Sequence, residues 1–311
     1  MKTWFVFWLS IAWLLPLSAN AASMNGFQLD NLTVPADEIL SGGPGKDGIP
    51  AILEPKFEPG VSADVLSGSD IVLGIHLDGV SKAYPIAILN WHEIVNDRIG
   101  DKDFIVSYCP LCGSGMAFQT NAGQQIMTFG VSGLLYNSDV LMYDHQTQSL
   151  WSQIRGAAVS GRRSGQTLDQ LPLKLTRWQQ WLSDHPDTLV LSTDTGFSRD
   201  YRRDPYAGYS DTPFLYFPVA QLAPSTYSTK ETVLGFHHNG VSVAFPFSEL
   251  RANNQAEFSY PLGEQELKVH WDENNQSAWI TDANGQPLAS TLLYWFAWYA
   301  FYPDTQVFSA Q

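Results

Sequence analysis

Only two of the 311 residues are cysteine. A framework of several disulfides is excluded, and so is a zinc site built from two cysteine pairs. Basic residues are scarce: 17 Lys and Arg stand against 31 Asp and Glu, a formal charge of −14. That balance argues against nucleic acid and anionic lipid as partners. Long hydrophobic runs are missing as well. Trp4–Leu17 and Leu292–Phe301 are the most apolar stretches, and both fall short of the roughly 20 residues that a spanning helix needs. There is no phosphate-cradling or nucleotide-cofactor motif and no His-Glu-x-x-His helix. Gly113-Ser114-Gly115 is not a full nucleophile elbow, because position 112 is cysteine.

What is present begins with an export signal. Lys2 precedes the apolar run Trp4–Leu17, and Ala19-Asn20-Ala21 has the small-x-small form of a cleavage site. Cleavage after Ala21 removes Lys2 and no acid, so 16 basic and 31 acidic residues remain and the formal charge becomes −15. No cysteine follows the run to carry a lipid anchor. The expected location is periplasmic or extracellular, with no stable membrane insertion after cleavage.

Residues 22–62, rich in Pro and Gly, read as an irregular N-terminal strap. Beyond them the chain resembles itself. Val72-Leu73-Gly74-Ile75-His76-Leu77-Asp78-Gly79 and the run to Pro85 match Val233-Leu234-Gly235-Phe236-His237-His238-Asn239-Gly240 and the run to Pro246. Asp-Gly and Asn-Gly predict hairpins, and each proline ends a strand and opens a short helix. A second hairpin follows in both halves. Trp178-x-x-Trp181 before Pro186-Asp187-Thr188 likewise matches Trp295-x-x-Trp298 before Pro303-Asp304-Thr305. The offset falls from 161 to 117 residues, so about 44 extra residues lie between Gly130 and Thr176. The expected fold is mainly β with a few short helices, built as two similar hairpin-rich lobes from a tandem duplication. These are residues 63–195 and 231–311, with a connector at 196–230.

The second half has Asp272-Glu273-Asn274-Asn275 where the first has Tyr108-Cys109-Pro110-Leu111-Cys112-Gly113-Ser114, so chemistry is expected in the first. Cys-Pro-x-Cys-Gly, entered from a β-type run, has the form of a metal knuckle that aims two sulfurs at one ion. Gly113 permits the left-handed backbone of such a turn. Cu or Zn suits two thiolates and an imidazole. The nearest imidazole is His92. With Asp101-Lys102 at the hairpin centre, Cys109 faces Ile94 and His92 faces Leu111, which puts His92 and Cys109 on one face and Glu93 on the other. His145 and Met142, in the extra segment, are lesser ligand candidates. Met116 and Met127 read as core, and His76 as structural because its counterpart is His237. Arg199, Asp200, Tyr201, Asp204 and Tyr206 in the connector could bind an anionic ligand or form an ion-paired strap.

His92-Glu93-Ile94-Val95-Asn96-Asp97, the cysteine loop and Phe129-Gly130-Val131-Ser132-Gly133-Leu134-Leu135-Tyr136 resemble an uncharacterised exported family, domain of unknown function 3179. Asp144-x-x-Thr147-x-Ser149-x-Trp151, Arg199-Asp200-Tyr201 and Asp204-Pro205-Tyr206 fit the same pattern, whereas His145 stands where the family has arginine. The resemblance implies a family but no mechanism. Three readings therefore stand: a soft-metal protein using Cys109, Cys112 and His92, a scaffold or ligand-binding protein with a Cys109–Cys112 disulfide, and a thiol–disulfide oxidoreductase. The export reading makes a direct prediction. N-terminal sequencing of the protein recovered from outside the cytoplasm should begin at Ala22.

Overall fold

The computed structural model describes residue 1 and residues 22–63, 66–122 and 125–310. The expected signal segment lies outside the described residues. Strands β1 (Ile71–Leu77) and β2 (Val80–Pro85) form the first hairpin, with Leu77 opposite Val80. Asp78 and Gly79 both take positive φ, 50° and 80°, as a turn of this hand requires. Pro85 then caps helix α1 (Ile86–His92), its fixed φ being ready for a helix start.

Strands β3 (Ile94–Ile99), β4 (Lys102–Cys109) and β5 (Ser114–Gln119) follow as an antiparallel meander. Here the expected register is corrected by two residues. Ile99 pairs with Lys102 and Ile94 with Ser107, so the turn is Gly100-Asp101 and Ile94 does not face Cys109. Gly100 takes the positive φ (56°) at the first turn position, where glycine is favoured. His92 is also no longer a strand residue, since α1 runs through it.

The extra segment holds β6 (Phe129–Tyr136), β7 (Asp139–Asp144) and β8 (Leu150–Ser152). They form a sheet with Ala157–Ser160 and with Ile39–Ser41 from the strap. After it come β9 (Lys174–Arg177), helix α2 (Trp178–Asp184) and β10 (Leu189–Leu191). The second half supplies β11 (Thr232–His238), β12 (Val241–Pro246), α3 (Phe247–Asn253), β13 (Glu257–Leu262), β14 (Gln265–Asp272) and β15 (Ser277–Thr281). It ends with β16 (Thr291–Tyr294), α4 (Trp295–Phe301) and Gln306–Val307.

The fold is mainly β with four short helices, and five small sheets stand in a propeller-like ring. The halves share strand order: β9-β1-β2-β10 in one sheet corresponds to β16-β11-β12-(306–307) in another, with the last pair parallel in both. Contacts between the halves are reciprocal too. Strand β9 meets β15, and β16 meets β5.

A matched pair of side chains explains why the same residues recur. A Cβ on Gly74 would overlap the Trp181 indole, and one on Gly235 would overlap Trp298. Each indole N–H then donates to a threonine, Trp181 to Thr188 and Trp298 to Thr305, both at 2.9 Å. The glycine lets the helix lie on the hairpin, and the threonine keeps the buried N–H paired. Gly235→Ala should therefore destabilise the protein by about 1–3 kcal/mol, the usual cost of overpacking. Urea unfolding would show it, while Gly240→Ala should reveal only the smaller strain of a left-handed turn.

Candidate metal centre

The cysteine loop is the turn between β4 and β5. Cys109 pairs with Ser114, and the Cys112 N–H donates to the Cys109 carbonyl at 3.2 Å. Gly113 takes φ +62°, with the Tyr294 ring against the space a side chain would need. The Tyr294 N–H also donates to the Cys112 carbonyl at 2.8 Å, so the second half of the chain holds the loop from behind.

A second hairpin tip enters from the extra segment. Tyr136 pairs with Asp139, and the two turn residues Asn137 and Ser138 both have positive φ, 52° and 63°. This is the two-residue turn that Asn favours. It is tied down on three sides. The Asn137 amide donates to the Ala300 carbonyl at 3.2 Å and accepts the Ala220 N–H at 2.8 Å, and the Ser138 hydroxyl donates to the Phe217 carbonyl at 2.6 Å. The Ser138 carbonyl consequently faces both thiols, at 3.8 Å from Cys109 Sγ and 3.5 Å from Cys112 Sγ.

Asp139 completes the cluster. Its carboxylate and the two sulfurs lie within 4.8 Å of one another, all buried, and both cysteines are free thiols. Among the described residues this is the one such grouping of three or more His, Cys, Asp or Glu. Asp139 Oδ2 accepts the Ile154 N–H at 3.0 Å, whereas Oδ1 is buried with no N–H or O–H to bond. An orphaned carboxylate oxygen in a dry core is costly.

Burial dominates the electrostatics. It lifts the Asp139 carboxyl to about 7, partly offset by the backbone N–H groups and the Cys109 thiol. The Cys109 and Cys112 thiols are pushed up as well, first by burial. Glu93 lies close enough to feel Asp139, and burial with that charge raises it to about 8 against the opposing hydrogen bond from Tyr206. Two acids and two thiols that resist ionising in the same place form a site lacking a positive charge.

The residues expected at the site separate into two groups. Cys109 and Cys112 are brought together. His92 is not: its Nδ1 donates to the Pro50 carbonyl at 2.7 Å, which leaves Nε2 to accept from the Tyr201 hydroxyl at 2.8 Å. His145 bonds Thr128 at 2.9 Å and packs edge-on against Tyr143. Met142 is fully buried in the core, opposite Val131 and Trp151.

The connector is tied to α1. Asp204 accepts from Asn90, the Arg203 carbonyl accepts the Trp91 indole N–H, and the Arg199 guanidinium lies over the Trp91 ring. Asp200 pairs with Arg202 in solvent. Arg199, Asp200, Tyr201 and Asp204 line one open groove of about 980 Å³, but Tyr206 turns away from it to Glu93.

Asp139 and Glu93 are the residues that sequence reasoning passed over. Asn137-Ser138 is a legible turn signal, and it places Asp139 at a hairpin tip. Strand alternation places Glu93 on the face opposite Cys109. Glu93 instead caps α1 at φ 55°, a left-handed conformation that redirects its side chain.

The family model described as "Protein of unknown function (DUF3179)" matches residues 46–305. The chain belongs to this family. No curated protein and no solved structure matches it. The family covers both hairpin tips and the whole connector, so the cluster is built within the matched region.

The buried carboxyls determine a pH dependence. In the unfolded chain Asp139 and Glu93 ionise near pH 4, but the folded protein holds them neutral to about 7 and about 8. The folded state binds more protons across that window, so stability is greatest at its acid end and falls as pH rises through 7 to 8. Urea midpoints of chelator-treated protein should drop between pH 5 and pH 8, and Asp139→Asn with Glu93→Gln should flatten the trend.

Proposed function

We propose that this protein is exported and binds one soft or borderline divalent metal ion through Cys109, Cys112 and Asp139. The observation that carries the reading is the buried Asp139 carboxyl, one oxygen of which meets no N–H or O–H donor, set against two thiols in the same dry pocket. A dication would deprotonate the thiols, pair the carboxylate and remove the cost of burying it. Two sulfurs and one carboxylate oxygen suit Zn(II). Cu(I) would use the sulfurs but gain little from a carboxylate. Three protein ligands leave a fourth position for water, the Ser138 carbonyl or a substrate, which is the arrangement of catalytic rather than closed zinc sites.

His92 belongs in this reading as a support residue, since its hydrogen bonds join the strap to the connector. The two halves are read as products of a duplication whose first copy acquired the site, supported by their common strand order and reciprocal contacts. The oxidoreductase reading is weaker, because thiols pushed up by burial are poor nucleophiles. A static Cys109–Cys112 disulfide is the remaining competitor.

Elemental analysis with thiol counting on protein purified without chelator decides between them. The metal reading expects about one zinc or copper per chain, falling at least tenfold in Cys109→Ser and in Asp139→Asn but not in His92→Gln. No metal and no reactive thiol after unfolding would establish the disulfide instead.

A further inference from the structure

Beside the thiol cluster is a cavity of about 330 Å³, and Glu93 forms part of its wall. For scale, an apolar cavity of about 150 Å³ holds benzene. Most of the lining is aliphatic or aromatic, with Ile49, Leu111, Val131, Leu134, Val140 and Phe217 among it. Its polar side chains are Glu93, Tyr206 and Tyr216, and it has no Lys, Arg or His among the described residues. This is the composition of a small-molecule site: an apolar body with a few polar groups at one end.

Two observations single out Glu93 as that polar end. The residue is only 6% exposed, yet it is acidic and faces no basic partner in the cavity. Its backbone is also held at φ 55° and ψ −31°, outside the comfortable regions for a residue with a Cβ. Such strain persists only where the surrounding structure over-determines it, and it concentrates at functional positions. Here it turns a carboxyl inward that a regular strand would have pointed away.

We propose that this cavity binds a small organic amine, its apolar body against the aliphatic wall and its ammonium group on the Glu93 carboxylate and the Tyr206 hydroxyl. The surroundings favour that sign. Asp139 and the two thiols, near enough to act on Glu93, bring no positive charge, the whole chain carries −14, and nothing in the lining could neutralise a buried anion. An ammonium at that end would meet the Glu93 carboxyl and the Tyr206 hydroxyl with no basic side chain in the lining to compete for them. Tyr206 and Tyr216 add phenol rings able to face a cation. The inference does not rest on the metal reading, since none of the three proposed metal ligands lines the cavity.

The test is calorimetric titration with three near-isosteric probes: phenethylamine, 2-phenylethanol and 3-phenylpropionate. The amine should bind, the alcohol at least tenfold more weakly, and the carboxylate not at all. Glu93→Gln should weaken the amine tenfold or more and leave the alcohol unchanged, and Tyr206→Phe should weaken the amine less. Equal or tighter binding of the carboxylate would overturn the proposal, as would no binding of any probe or an amine affinity unaltered by Glu93→Gln. Should Glu93→Gln fail to fold, the ranking of the three probes on the unaltered protein decides alone. Repeating the titration with chelator present should leave the ranking unchanged.

Discussion

Two hairpin tips meet in the core, and nearly every unusual feature of the chain serves that meeting. The loop between β4 and β5 brings two thiols, and the turn between β6 and β7 brings a backbone carbonyl and a carboxylate. Neither tip would stay buried by itself, because each carries polar groups that water would satisfy better. They are held by bonds to distant segments. Ala220 and Ala300 fasten Asn137, Phe217 fastens Ser138, and Tyr294 fastens Cys112. The connector and the last helix are therefore the walls of the site.

This dependence gives the ring architecture a purpose. Sheets from the second half close against sheets from the first, with β16 beside β5 and β9 beside β15. The glycine–tryptophan pairs fix each helix on its hairpin, so α4 arrives at the cluster in a defined position. Lys230, almost fully buried, donates to the carbonyls of Tyr209, Thr212 and Phe214 and lies over the Tyr209 ring. It folds the connector into a cover over acidic groups that have no basic residue of their own.

The thiol cluster and the neighbouring cavity obey one electrostatic rule. Each contains groups that would be anionic in water and that burial holds neutral, so each gains from a positive ligand. The proposed dication would answer the first and the proposed ammonium the second. Glu93 and Asp139 sense each other across the boundary, which means that charge introduced at one side alters the other.

Much of the scaffold was legible in the sequence because its causes are local. Asp-Gly and Asn-Gly turns, helices begun by proline, the Cys-Pro-Leu-Cys-Gly turn and the Trp-x-x-Trp spacing depend on residues within a few positions of each other. The grouping of Cys109, Cys112 and Asp139 lies in the half that carries the cysteines. The partners of the thiols were not legible. Asp139 is 27 residues beyond Cys112 on another hairpin, and the positive φ of Glu93 reverses what strand alternation predicts for it. His92 sits at the end of α1, where its two ring nitrogens are used to join the strap and the connector. The sequence by itself determined the hairpins, the helices and the turn that carries the thiols, since steric limits on φ and ψ act residue by residue. Only the tertiary structure decided which acids face those thiols, because that depends on long-range packing and on where a buried charge can be tolerated.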